Sequence, residues 1–133
     1  MKTIQVNPKE KIFPYVSYRR KYYLIVPITI EGRERIIVHA LVDSGATISL
    51  FHTCIADDAG IDLEDAEQVY LAGIGGCTLK HMLRSMLRSE RKASIEGLGR
   101  ITIPIAFTEY IVSDIAILGR QGFFEAFEIT FRE

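Results

Sequence analysis

The chain has 133 residues, 48% of them hydrophobic and 25% charged, which is the composition of a single ordinary globular domain and not of a disordered segment. Its 16 Lys and Arg stand against 17 Asp and Glu, a net charge of −1, so it lacks the basic excess of a dedicated nucleic-acid binder. No apolar run approaches the roughly 18 residues a membrane span needs, the opening residues hold no apolar signal core, and Cys54 and Cys77 are too few for a disulfide framework and lie in no zinc-ligand spacing, so a cytoplasmic protein with reduced thiols is expected.

Residues 1–21 are polar, contain Pro8, Pro14 and the run Arg19-Arg20-Lys21, and read as an N-terminal arm or edge strand ahead of a domain over 22–133. From Tyr22 to Ile30 the β-branched and aromatic residues predict a strand. Pro27, which has no N–H, places a break or an edge within it. Glu31-Gly32-Arg33-Glu34 signals a hairpin turn, and Arg35–Val42 is the returning strand. Its second half is almost continuously apolar, as a strand buried on both faces would be. After Asp43-Ser44-Gly45-Ala46, β character resumes at Thr47–Leu50.

His52–Ala59 predicts a short helix closed by Gly60 in the left-handed conformation. Val69-Tyr70-Leu71 then leads to the glycine-dense tip Gly73-Ile74-Gly75-Gly76. From Cys77 to Lys92 the pattern is ambiguous. Leu83, Met86 and Leu87 have helical spacing, as do Arg84, Arg88 and Arg91, and a long half-exposed strand fits equally well. Gly97-Leu98-Gly99 is a turn, Arg100–Phe107 a strand, Ile115–Leu118 a short buried strand running into Gly119-Arg120, Gln121–Ala126 a helical turn, and Phe127–Arg132 a final strand. The sum is all-β with one or two short helices, a small barrel or sandwich.

Three segments carry chemistry or a structural substitute for it. Asp43 directly follows a buried strand, where a lone carboxylate is costly to desolvate, and Gly45 permits close backbone approach; alternatively, Asp43 caps the next segment or opens an Asx-turn. The Gly73–Gly76 segment is either a mobile ligand-covering hairpin or an ordinary loose one, and it is no dinucleotide fingerprint. Arg120, after the strand Ile115–Leu118, is either part of a site or a structural ion-pair donor. His39, His52 and His81 are scattered without ligand spacing, and Cys54 has no histidine partner in a nucleophile motif.

Taken in order, Ala40-Leu41-Val42-Asp43-Ser44-Gly45-Ala46, then Gly73-Ile74-Gly75-Gly76, then Ile117-Leu118-Gly119-Arg120, the chain resembles the retroviral-type aspartic proteases (retropepsins) of the cellular or microbial branch, from about Tyr22 to the C-terminus. The resemblance implies a small closed barrel and an aspartic endopeptidase that needs no metal or cofactor. In that reading Asp43 is the catalytic carboxylate, Ser44, Gly45 and Ala46 complete the active-site loop, Gly73, Ile74, Gly75 and Gly76 form a flap over the substrate, and Gly119 and Arg120 support the site. Three departures stand out: Ser44 replaces the more usual threonine, Thr47 stands where many viral members carry an aspartate, which leaves the partner of Arg120 open, and 80–98 is longer than the viral equivalent.

Two facing carboxylates are required by that chemistry, and this sequence holds one Asp-Ser-Gly and no second such element. The resemblance therefore implies a homodimer with Asp43 opposite its own copy on a two-fold axis and a peptide or protein substrate. It also implies interleaved terminal strands, for which the alternating Phe127–Phe131 is the candidate. The alternatives are a catalytically weak retropepsin-like module that binds peptides and a purely structural β domain.

Overall fold

The computed structural model describes residues 10–64, 66–71, 84–111 and 115–132. Among these residues, nine strands and one short helix follow one another: β1 (Val16–Tyr18), β2 (Lys21–Tyr23), β3 (Ile25–Glu31), β4 (Arg35–Val42), β5 (Ser49–His52), α1 (Thr53–Ala59), β6 (Glu67–Leu71), β7 (Arg84–Ile95), β8 (Gly99–Thr108) and β9 (Ala116–Leu118), then a kinked helical turn at Arg120–Phe124. The strand order β3-β4-β9-β5-β8-β7 closes on itself through a β3–β7 pairing, and β6 lies outside that ring on the far edge of β7. A closed ring leaves no unpaired edge along most of its circumference.

Alternation along the strands explains the closure. On β3 the inward residues Val26, Ile28 and Ile30 are buried and their neighbours are half-exposed. They pack with Phe51, Ile103, Ile105 and Leu118 into one central core, where the Phe51 and Phe107 rings meet edge to face with centroids 6.2 Å apart. Pro27 sits opposite His39 on β4, while the pairing of β3 to β7 begins only at Thr29. The missing N–H thus falls where β3 has a neighbour on one side, the break that proline requires.

Strand β4 departs from the expectation of burial on both faces. Val38, Ala40 and Val42 point inward, His39 is exposed, and Ile37 is 67% exposed. The apolar run is a barrel wall with solvent on its outer side. The turn after β3 is Gly32-Arg33-Glu34, held by the Glu34 N–H donating to the Ala59 carbonyl at 3.0 Å. A Cβ on Gly32 would lie 2.3 Å from that same oxygen, so only glycine fits where the turn meets α1.

Helix α1 forms as its ends predict. The His52 ring nitrogen Nδ1 accepts the Cys54 N–H at 3.0 Å, and Gly60 closes the helix at φ 66°, ψ 37° with its N–H returning to Ala56 and Asp57 carbonyls. Ile55, Ala56 and Ala59 are its buried face.

Of the ambiguous stretch 77–92, residues 77–83 lie outside the described residues and the rest belongs to the strand Arg84–Ile95, paired to β6 on one side and to β8 from Leu87↔Phe107 to Ile95↔Gly99 on the other. Its pattern was mixed for a physical reason. Met86 belongs to a second apolar cluster with Ile48 and Ala106, whereas Ala93 and Ile95 enter the central core. The strand changes the face it buries midway, which destroys a clean period of two.

Residues 16–23 make a separate two-stranded hairpin with Arg19 and Arg20 both at positive φ, the turn geometry whose twist suits adjacent strands. Lys11, which donates to the Glu96 carbonyl, and Phe13, packed on the core, tie the preceding segment to the barrel.

The final strand expected at Phe127–Arg132 is not formed. The segment follows the 120–124 turn with Phe127 and Ile129 packed on the core and Phe131 48% exposed. It pairs with no other strand among the described residues, and a strand without a neighbour has no ladder to make. Ile115 is likewise outside β9 and exposed.

Candidate active site

Strand β4 delivers Asp43 into a loop that β9 holds from below. The Val42 N–H donates to the Leu24 carbonyl at 2.9 Å, the Asp43 N–H donates to the Leu118 carbonyl at 3.0 Å, and the Ala46 N–H returns to the Asp43 carbonyl at 3.2 Å. One carboxylate oxygen of Asp43, Oδ1, accepts the Gly45 N–H at 2.9 Å. Asp43 therefore does open an Asx-turn, as the structural alternative had it. That bond occupies one oxygen. No other hydrogen bond to this half-buried carboxylate is made among the described residues. A Cβ on Gly45 would stand 3.1 Å from Oδ1, and the glycine lets the carboxylate fold over its own loop.

The second wall of the site is Gly119-Arg120-Gln121. Arg120 Nη1 donates to the Ser44 carbonyl at 2.9 Å and Nη2 to Thr47 Oγ1 at 3.1 Å. The backbone N–H of Arg120 donates to the Ala46 carbonyl and that of Gln121 to the Thr47 carbonyl, both at 2.9 Å. The Gly119 N–H donates to the fully buried Ser49 hydroxyl at 3.0 Å. Backbone and side chain together pin the 44–49 segment to the end of β9, leaving the Asp43 loop little freedom. Among the described residues, the partners of Arg120 that sequence left open are thus neutral: a carbonyl and a threonine hydroxyl.

Gly119 is dictated by space. Its backbone is extended (φ −98°, ψ −174°), which any residue adopts, but a Cβ there would lie 2.6 Å from the Ile48 carbonyl carbon and oxygen and 2.9 Å from the Ala46 oxygen. The chain crosses itself at that point with no room for a side chain.

The structure thus brings Asp43, Ser44, Gly45, Ala46, Gly119 and Arg120 into one constellation. Ser44 is exposed and Ala46 half-buried. Gly73, Ile74, Gly75 and Gly76 lie outside the described residues, between β6 and β7, whose ladder runs out to Leu71↔Arg84. Thr47, singled out only as a departure from the family pattern, proves to be a partner of Arg120, and Ser49 is a contributor that motif reading passed over. The available signal for Ser49 was a hydroxyl at an inward position beside Phe51 in an apolar strand. Ile48 is buried with Met86 and Ala106, a floor under the loop. Among the described residues, no three His, Cys, Asp or Glu side chains converge as metal ligands do, and no helix is long and apolar enough to cross a membrane.

Comparison with solved structures gives the fold its class. Over 90% of this chain and 91% of the other, the structure is similar to a retropepsin-like aspartic protease from Rickettsia conorii, with a TM-score of 0.64 and 14% identity. Over 79% of this chain and 88% of the other, it is similar to EIAV protease in complex with an inhibitor, with a TM-score of 0.52 and 19% identity. The protein has the retropepsin-like fold. No family model and no curated protein matches the chain.

Proposed function

We propose that this protein is an aspartic endopeptidase, active as a homodimer, in which Asp43 of each protomer supplies one of two catalytic carboxylates. The observation that carries this reading is the Asp43 loop: a half-buried carboxylate with one oxygen tied to Gly45, braced by Gly119 and Arg120, in a retropepsin-like barrel. A single such loop per chain supports assembly around a two-fold axis. The Phe127–Phe131 segment, which pairs with no strand among the described residues, supports it too, since alternating residues without a ladder suit strand pairing with a second copy.

In the proposed dimer the two carboxylates sit close together, and one proton is shared because both cannot ionise at short range. The ionised group takes a proton from a water molecule held between the pair. The protonated one donates to the carbonyl oxygen of the peptide bond as the water attacks. The resulting tetrahedral intermediate collapses as a proton passes to the leaving nitrogen. Here the Gly45 N–H and the bracing from Arg120 keep the carboxylates oriented, so no reorganisation is required at the moment of attack. Gly73, Ile74, Gly75 and Gly76 are assigned to a flap that covers an extended peptide and binds it by backbone hydrogen bonds.

The test is turnover of an unstructured protein or peptide library between pH 3 and 7 by the wild type and by Asp43→Asn. The variant should lose activity by several orders of magnitude, and the wild-type profile should fall on both the acid and alkaline sides. Equal turnover by the two proteins, or a wild type that cleaves nothing, removes the enzyme assignment.

A further inference from the structure

We propose that Arg120 is a substrate-recognition residue that receives an acidic side chain of the bound peptide at the rim of the active site, an inference that rests on the reading of Asp43 as the catalytic group. A guanidinium carries five N–H donors and keeps its charge at every physiological pH. Arg120 spends two of those donors, on the Ser44 carbonyl and the Thr47 hydroxyl. Both acceptors are neutral, and no carboxylate among the described residues lies within 4.0 Å of the group. Arg35, Arg88 and Arg100 behave differently, since each meets Glu31, Glu67 or Glu90. The remaining Arg120 donors and its full positive charge face solvent, as the residue is exposed.

Position and rigidity decide what such a group can do. Two hydrogen bonds anchor its head, so it presents the free donors already oriented, which lowers the entropic cost of binding. The residue whose carbonyl it holds directly follows Asp43, so the head lies within roughly 10 Å of the candidate catalytic centre by chain geometry. An extended peptide advances about 3.3 Å per residue, so the carboxylate belongs within about three residues of the bond to be cut. A planar guanidinium matches a carboxylate by paired N–H···O bonds. The substrate class is therefore peptides that carry Glu or Asp near the scissile bond.

The experiment measures binding to the Asp43→Asn protein, so that it reads recognition independently of turnover. Peptide pairs carry Glu or Gln at each of three positions on either side of an apolar pair. At one position the Glu peptide should bind about three- to tenfold more tightly, with the ratio shrinking at 0.5 M salt. Adding Thr47→Asp places a carboxylate against Nη2 and should bring the ratio to about one while the Gln peptide still binds. The ratio divides out any general loosening of the loop, and Arg120→Lys should retain part of the preference.

Equal binding of Glu and Gln peptides at every position overturns the proposal, as does a preference that survives Thr47→Asp. A dimer weakened by Thr47→Asp, with no peptide preference in either protein, would assign the carboxylate to a second copy and overturn it too. If the wild type cleaves nothing but the preference is present, the enzyme assignment fails and what stands is recognition of an acidic peptide by Arg120 beside Asp43. Cleavage without preference refutes this one alone, and so does failure of every peptide to bind while the wild type cleaves; failure of binding and of cleavage together refutes both.

Discussion

Replacing Gly119 by alanine tests whether the crossing of the chain behind Asp43 is as tight as the geometry says. The extended backbone at Gly119 would accept a side chain without strain, so the whole cost is contact. The new Cβ would sit 2.6 Å from two Ile48 backbone atoms, whereas ordinary contact begins at 3.4 Å. The two segments must part by about 0.8 Å, and overpacking of that kind costs about 1–3 kcal/mol. Parting them also stretches the buried bond from the Gly119 N–H to Ser49, and an orphaned buried donor costs about 1–3 kcal/mol. A combined loss of about 2–6 kcal/mol is a large share of the ~5–15 kcal/mol available to a domain. Urea unfolding at fixed protein concentration reads it as a lower midpoint at unchanged slope. Gly97→Ala is the control: Gly97 has positive φ but nothing within 4 Å of a Cβ, so it should lose only about 1 kcal/mol. Gly119→Ala within about 0.5 kcal/mol of wild type would refute the argument, because no rigid crossing could then exist.

Three other outcomes are expected. Ser49→Ala should destabilise by about 1–3 kcal/mol in the same unfolding assay, since it leaves the buried Gly119 N–H without an acceptor. Glu31 is held below its ordinary 4.5 chiefly by the hydrogen bonds from Arg100, at 2.7 and 3.1 Å, with further attraction from Arg100, Arg35 and Lys92. A lowered folded value means that its contribution is present above the unfolded value and lost as pH falls through the folded one. Glu31→Gln should therefore flatten the acid limb of the stability–pH curve below about pH 5, and an unchanged limb would count against the pairing. Phe131→Asp should raise the dimer dissociation constant about tenfold or more in sedimentation equilibrium, because it places a charge on the apolar side of the proposed terminal strand; an unchanged constant would place the interface elsewhere.

Local chemistry made much of this protein legible from its residues. The β3–β4 hairpin, α1 with its Gly60 cap and the strand at 99–108 each follow from signals within a few residues: a turn pair, a left-handed glycine, a run of β-branched side chains. The loop Asp43-Ser44-Gly45-Ala46 was legible as well, because a carboxylate after a buried strand must be satisfied or used. Stretches whose conformation depends on distant partners were not. Strand β7 buries Met86 in one cluster and Ala93 in another, and no single period could describe it. The segment Phe127–Phe131 has the alternation of a strand but pairs with no strand among the described residues.

The residues around Asp43 thus specify a carboxylate, a permissive glycine and a hydroxyl in a fixed order, because those are properties of adjacent atoms. What braces that loop is a matter of the whole chain's path. Arg120 meets Ser44 and Thr47, and Gly119 meets Ser49, across 70 or more positions of sequence. Only closure of the barrel brings β9 beneath the end of β4, and hydrogen bonds of about 3 Å report that proximity directly, whereas sequence order carries no record of it.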